Sequence, residues 1–165
     1  MKDFLGKLNI RKFLQYALYM LLVLVFQTML FSQLRPLGVC SMFLPAAVAA
    51  VGMFEGAVPG AVFGLILGFF ADMAFVENTV AFTVLFPALS FAVSFISRFF
   101  INRRFFGYMV VAVAALAITA VVQMVKTAVN DTWSAIMIPT ALFQVIWSIP
   151  LAAAAYLGPA KWIKE

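Results

Sequence analysis

Apolar residues fill this chain in long blocks, and the charged positions fall between the blocks rather than within them. Runs free of Asp, Glu, Lys and Arg cover 13–34, 36–54, 56–71, 79–97, 105–125 and 132–160, with lengths of 22, 19, 16, 19, 21 and 29 residues. A helix rises about 1.5 Å per residue, so about 20 apolar residues cross a hydrocarbon layer of about 30 Å. The pattern predicts an all-α membrane protein, a bundle of six transmembrane helices over 13–34, 37–54, 56–76, 79–97, 105–126 and 134–157. Together they make one integral membrane domain, 1–165, with little chain left for anything outside the bilayer. The third block is the short one. It reaches spanning length if its helix runs on through Asp72 to residue 76; a re-entrant hairpin is the alternative.

The basic residues decide between these. Lys and Arg accumulate in cytoplasmic loops. With six crossings and the N-terminus inside, the inner side holds Lys2, Lys7, Arg11, Lys12, Arg98, Arg103, Arg104, Lys161 and Lys164, and the outer side only Arg35 and Lys126. If 56–71 failed to cross, five basic residues would lie inside and six outside. Six crossings with both termini in the cytoplasm is the better fit. The basic residues before the first block resemble the start of a signal peptide. The block is too long for that, and no cleavage site precedes a soluble domain, so the expectation is an uncleaved first helix.

Composition agrees. The chain is 66% hydrophobic and 10% charged, with a mean hydropathy of +1.11. A soluble domain is about 45–50% apolar and about 25% charged. A soluble enzyme domain and a disordered chain are therefore excluded. The net charge of +5 is spread over three cytoplasmic segments facing anionic lipid and calls for no nucleic-acid partner. There is no histidine, and the single cysteine, Cys40, can form neither an internal disulfide nor a multi-thiolate metal site. No Ser/His or Cys/His pair, phosphate loop or zinc motif is present. Asp72 and Glu77 diverge by about 140° on a helix and do not make a dyad. The expectation is a non-enzymatic protein without cofactor or metal.

The third block carries the most specific pattern. Gly56, Gly60, Gly64 and Gly68 recur every four residues, and Asp72 continues the row. A row of glycines winds slowly along one side of a helix and lets another helix approach closely, the small-xxx-small device of membrane bundles. Two occupants are open: a helix of this chain, or a helix of a partner. Asp72 is expected to make a structural or partner contact rather than to carry protons, and Lys126 could pair with Asp72 or Asp131. Glu55 sits beside the start of the third helix, whose dipole an acid complements. Gln27 and Gln123 lie within blocks, where an amide seeks an interhelical hydrogen bond. Pro45, Pro59, Pro87, Pro139 and Pro150 fall inside predicted helices and free backbone carbonyls there. Trp133 and Trp162 flank the last block as interfacial residues do, and Trp147, in mid-block, is expected to pack.

The stretch Gly60-Ala-Val-Phe-Gly64-Leu-Ile-Leu-Gly68-Phe-Phe-Ala-Asp72 resembles the signature of MreD, the bacterial rod-shape-determining membrane protein family. In that family a glycine-rich span follows the form G-x-x-x-G-x-x-x-G-[LF]-x-x-D. The run Phe26-Gln27-Thr28-Met29-Leu30 is similar to the end of the family's first helix. Length, hydrophobicity, short loops and the basic loop 98–104 fit the same layout. The resemblance implies a multi-pass protein of the bacterial cytoplasmic membrane. It would bind MreC and help to couple MreB filaments to peptidoglycan synthesis by RodA and a class B penicillin-binding transpeptidase. It also implies a fold similar to the substrate-binding subunits of energy-coupling-factor transporters, and such a subunit is the alternative reading. A transporter subunit needs a polar site near the outer face, where Asp72, Glu77, Asn78, Lys126, Asn130, Asp131 and Trp133 are gathered. A membrane scaffold of another kind is the third reading.

Overall fold

A membrane-crossing chain must satisfy its backbone polar groups internally, and helices do so within one segment. The computed structural model describes residues 10–30, 42–74, 80–99, 105–130 and 137–162. Their regular structure is wholly helical. In chain order the helices are α1 (Ile10–Val25), which runs on into a π-helical turn (Phe26–Leu30), α2 (Leu44–Glu55), α3 (Ala57–Ala74), α4 (Ala81–Phe99), α5 (Phe105–Asn130) and α6 (Met137–Trp162). Stretches of α4, α5 and α6 (Ala81–Phe99, Phe105–Val129, Met137–Tyr156) are long and apolar enough to cross a membrane. The apolar stretches Leu14–Met29, Leu44–Glu55 and Ala57–Met73 are shorter. The short third block is one continuous helix through Asp72, not a hairpin.

The second block differs most from its expected extent. Its helix begins only at Leu44, with Pro45 in the first turn. Twelve residues make a rod of about 18 Å. Residues 37–41 lie outside the described part, and so do Cys40, Glu77, Asp131 and Trp133.

This short helix is the centre of the bundle. Every residue from Leu44 to Phe54 is buried. α2 packs against α3, α4, α5 and α6, and touches α1. A helix apolar on every side suits a central position, and Ala46, Ala47, Ala49, Ala50 and Gly52 keep it thin enough to be surrounded closely. Tyr108 of α5 joins three helices at this centre: its hydroxyl meets the Ala46 carbonyl of α2 at 3.2 Å and the Ala152 carbonyl of α6 at 2.8 Å.

Helix ends gather at one end of the bundle. Phe54, Phe105 and Tyr108 all contact the Tyr156 ring, with centroids 5.6, 5.2 and 5.4 Å away. The Gly56 turn lies near Ser94 and Arg98 of α4, and the Glu55 carboxylate lies beside the Tyr16 hydroxyl of α1. This end holds the start of α3 and α5 and the close of α2, α4 and α6. Gly56 itself has φ +102° and ψ −175°, a conformation open essentially to glycine alone, and it turns the chain from α2 into α3 within one residue.

Candidate functional site

The glycine row of α3 lies against α4. A methyl group at Gly60 would strike Ser90 Oγ; at Gly64 it would lie 2.8 Å from the Phe86 carbonyl oxygen and 3.0 Å from the Pro87 nitrogen; at Gly68 it would strike the Phe82 carbonyl oxygen. Glycines 60, 64 and 68 thus meet residues 90, 86 and 82 in reverse order, the register of two antiparallel helices in backbone contact. Gly64 faces the backbone where Pro87 has no N–H. The central helix joins the seam at one end. A Cβ at Gly60 would stand 2.7 Å from Gly52 Cα, and one at Gly52 would stand 2.5 Å from Ser90 Oγ. Among the described residues the fully buried Ser90 hydroxyl has no hydrogen-bond partner, and it is wedged between two glycine backbones.

Asp72 terminates the seam. One helical turn beyond Gly68, its carboxylate meets the open N-terminus of α4. It accepts hydrogen bonds from the N–H of Phe82 (3.1 Å), the N–H of Thr83 (2.7 Å) and the hydroxyl of Thr83 (2.7 Å). The first N–H groups of a helix have no partner within it, and an anion there also complements the dipole. Asp72 therefore caps α4 from a different helix. Lys126 of α5 sits over the Phe82 ring, 5.8 Å from its centroid, in the range of a cation–π contact.

The N-terminus of α2 is capped in the same remote way. Phe43, its N-cap residue, supplies no side-chain cap. Instead the Phe43 N–H donates to Gln27 Oε1 of the π-turn at 2.8 Å, and the Met42 N–H donates to Ser148 Oγ of α6 at 2.9 Å. Ser148 in turn donates to the Gln144 carbonyl at 2.7 Å. Ser148 lies near the middle of α6, so α2 begins inside the bundle, and two side chains from either side hold its positive end.

A third polar feature opens outward. A cleft of about 220 Å³ between α5 and α6 is lined by Ala120, Gln123, Met124, Thr127, Met137, Thr140, Ala141 and Gln144. Across it Gln144 Nε2 donates to Gln123 Oε1 at 3.2 Å.

Comparison of the chain with family models, characterised proteins and solved structures finds no match.

The structure thus gathers Gly60, Gly64, Gly68 and Asp72 into one seam, and gives Gln27 and Gln123 interhelical partners. It sets Gly56 and Glu55 at the opposite end from Asp72. Lys126 faces Phe82, the residue whose N–H Asp72 accepts. Trp147, expected to pack within the bundle, is 44% exposed and stacks on Phe143 of its own helix. Four functional-looking positions escaped the sequence reading. Ser148 and Gln144 are polar residues inside the last block and carried the same signal as Gln123. Pro159 removes the N–H that would bond the Ala155 carbonyl, and the Tyr19 hydroxyl donates to that carbonyl at 3.0 Å instead. Among the described residues no three His, Cys, Asp or Glu side chains come together. The arrangement is built to hold helices at fixed separation and register.

Proposed function

We propose that this protein is a non-enzymatic, multi-pass subunit of the bacterial cytoplasmic membrane, of the MreD type. In this reading it binds MreC and helps to link MreB filaments to the peptidoglycan-synthesising enzymes RodA and a class B transpeptidase. The observation that carries it is the α3–α4 seam. The stretch that resembles the family signature, Gly60 through Asp72, works as one device: three close-contact steps ending in a cap on the neighbouring helix. A pattern of spaced glycines and a terminal Asp has a joint physical role here, as expected of a signature rather than a chance run of small residues.

Six crossings with both termini in the cytoplasm complete the reading. The gathering of helix ends supports this. The Glu55–Gly56 turn, the Arg98 end of α4, the start of α5 and the close of α6 share one end. These are the segments that the basic residues assign to the cytoplasm.

The test is purification of the tagged protein from its native cells in mild detergent, with mass spectrometry of what accompanies it. Recovery of MreC and the wall-synthesis enzymes is the expected result. Recovery of a coupling protein with paired ATPases overturns the reading in favour of a transporter subunit.

A further inference from the structure

The cleft between α5 and α6 keeps two hydrogen-bonding groups in hand after the bundle has assembled. The Gln144–Gln123 bond uses one half of each amide. Among the described residues, Gln123 Nε2 and Gln144 Oε1 have no further partner. Neither is sealed inside: both side chains are half-buried, and neither belongs to the fully enclosed unpaired polar atoms. Both residues line the open cleft. Exchanging oxygen and nitrogen in both amides leaves the count unchanged, one donor group and one acceptor.

The surroundings make this costly in a bilayer. Val121, Val125, Ile138 and Leu142 on the same two helices are exposed, as lipid-facing residues are. An amide beside them seeks a partner on another helix. α6 is also the least covered of the long helices. Only 11% of its apolar window is buried within the chain, against 39% for α4 and α5.

We propose that this face pairs two copies of the protein about a two-fold axis, Gln123 Nε2 of each copy donating to Gln144 Oε1 of the other. A two-fold interface is self-complementary: whatever one copy offers, the other must match. One unmatched donor and one unmatched acceptor satisfy that condition, and with the two internal bonds they close a ring of four amides. Ala120 and Ala141 in the cleft let the second copy come close. Met124 and Met137 have adaptable side chains that fill the remaining space. A lipid tail offers neither donor nor acceptor. The inference is independent of the shape-complex reading, since it invokes no other protein.

The test uses the full chain in native membranes with Cys40→Ser and one new cysteine at a time. Thr127→Cys and Thr140→Cys line the cleft; Val62→Cys, on the exposed side of α3, is the control. A short bis-maleimide is expected to yield a product of twice the monomer mass from the two cleft positions and not from the control. Adding Gln123→Leu or Gln144→Leu is expected to lower the yield at least about threefold, the factor carried by an interhelical hydrogen bond of average strength in a membrane. Co-expressing the two leucine variants restores one reciprocal bond, so the mixed product is expected about threefold above either variant alone. That recovery also separates lost pairing from lost folding. No dimer from the cleft positions, equal dimer from Val62→Cys, no gain on mixing, or cross-links to another polypeptide instead would each overturn the proposal.

Discussion

Single side chains in this bundle work mainly by completing the backbone bonds of helices other than their own. Asp72 accepts three hydrogen bonds at the start of α4, one of them from the Thr83 hydroxyl. Substituting a capping carboxylate by Ala costs about 0.5–2 kcal/mol, whereas Asn keeps an acceptor oxygen. Asp72→Ala is therefore expected to lower stability by about 1–2 kcal/mol and Asp72→Asn by less, read from the thermal midpoint in detergent. Complete loss of function in a stably folded Asp72→Asn protein would instead require the charge itself and point to ion coupling. Tyr19 answers a different vacancy, the Ala155 carbonyl left without its helical donor by Pro159. Tyr19→Phe is expected to cost about 1 kcal/mol. In a Pro159→Ala background the carbonyl regains a helical N–H, and the cost of Tyr19→Phe is expected to shrink. A double-mutant cycle measures that difference, and additive effects would show that the two residues are uncoupled.

Between elements, contact is governed by how near two backbones can come. At Gly64 an added methyl meets the Phe86 carbonyl and the Pro87 nitrogen, neither of which is a flexible side-chain end. Gly64→Ala is expected to cost about 1–3 kcal/mol through overpacking. Gly64→Leu is expected to separate α3 from α4, seen as a thermal midpoint in detergent lowered well beyond that of Gly64→Ala. A Gly64→Leu protein that retains normal stability would show that close contact is unnecessary. The glycine row was legible in the sequence because its period is that of a helix face, but its occupant was not. Any helix with a smooth ridge fits such a groove, and Phe82, Phe86 and Ser90 do not advertise themselves as one. The caps were legible only in part. Asp72 and Gln27 stood out as polar residues in apolar blocks. Their partners are backbone N–H groups, which every residue except proline carries, so no residue type points to them. The central place of α2 was signalled weakly by its alanines, since an Ala-rich helix is equally suited to any tight face.

For the molecule as a whole, the proposed orientation rests on the asymmetry of charge between its two ends. The six-crossing reading places nine basic residues on one side and two on the other. The bundle supports it by bringing the Arg98 end of α4 to the Gly56 turn, while Asp72 and Phe82, with Lys126 over the Phe82 ring, mark the opposite end. The orientation therefore makes a prediction that does not depend on any partner. With Cys40 replaced by Ser, a cysteine at exposed Thr127, next to Lys126, is expected to react with a membrane-impermeant maleimide in intact cells whose outer barriers are open. A cysteine at exposed Phe99 or Phe105 is expected to react only after the cytoplasmic membrane is breached. The reverse pattern would turn the protein over in the membrane and place the outer-face residues in the cytoplasm. Labelling of all three positions from outside would mean that α5 does not separate its two ends, against a helix of 26 residues with an apolar window long enough to cross. A 26-residue helix measures about 39 Å, which exceeds the hydrocarbon thickness by about two turns. Thr127 and Phe105 therefore fall on opposite sides whenever α5 stands close to the membrane normal, and labelling of these two positions alone fixes the direction in which the chain crosses.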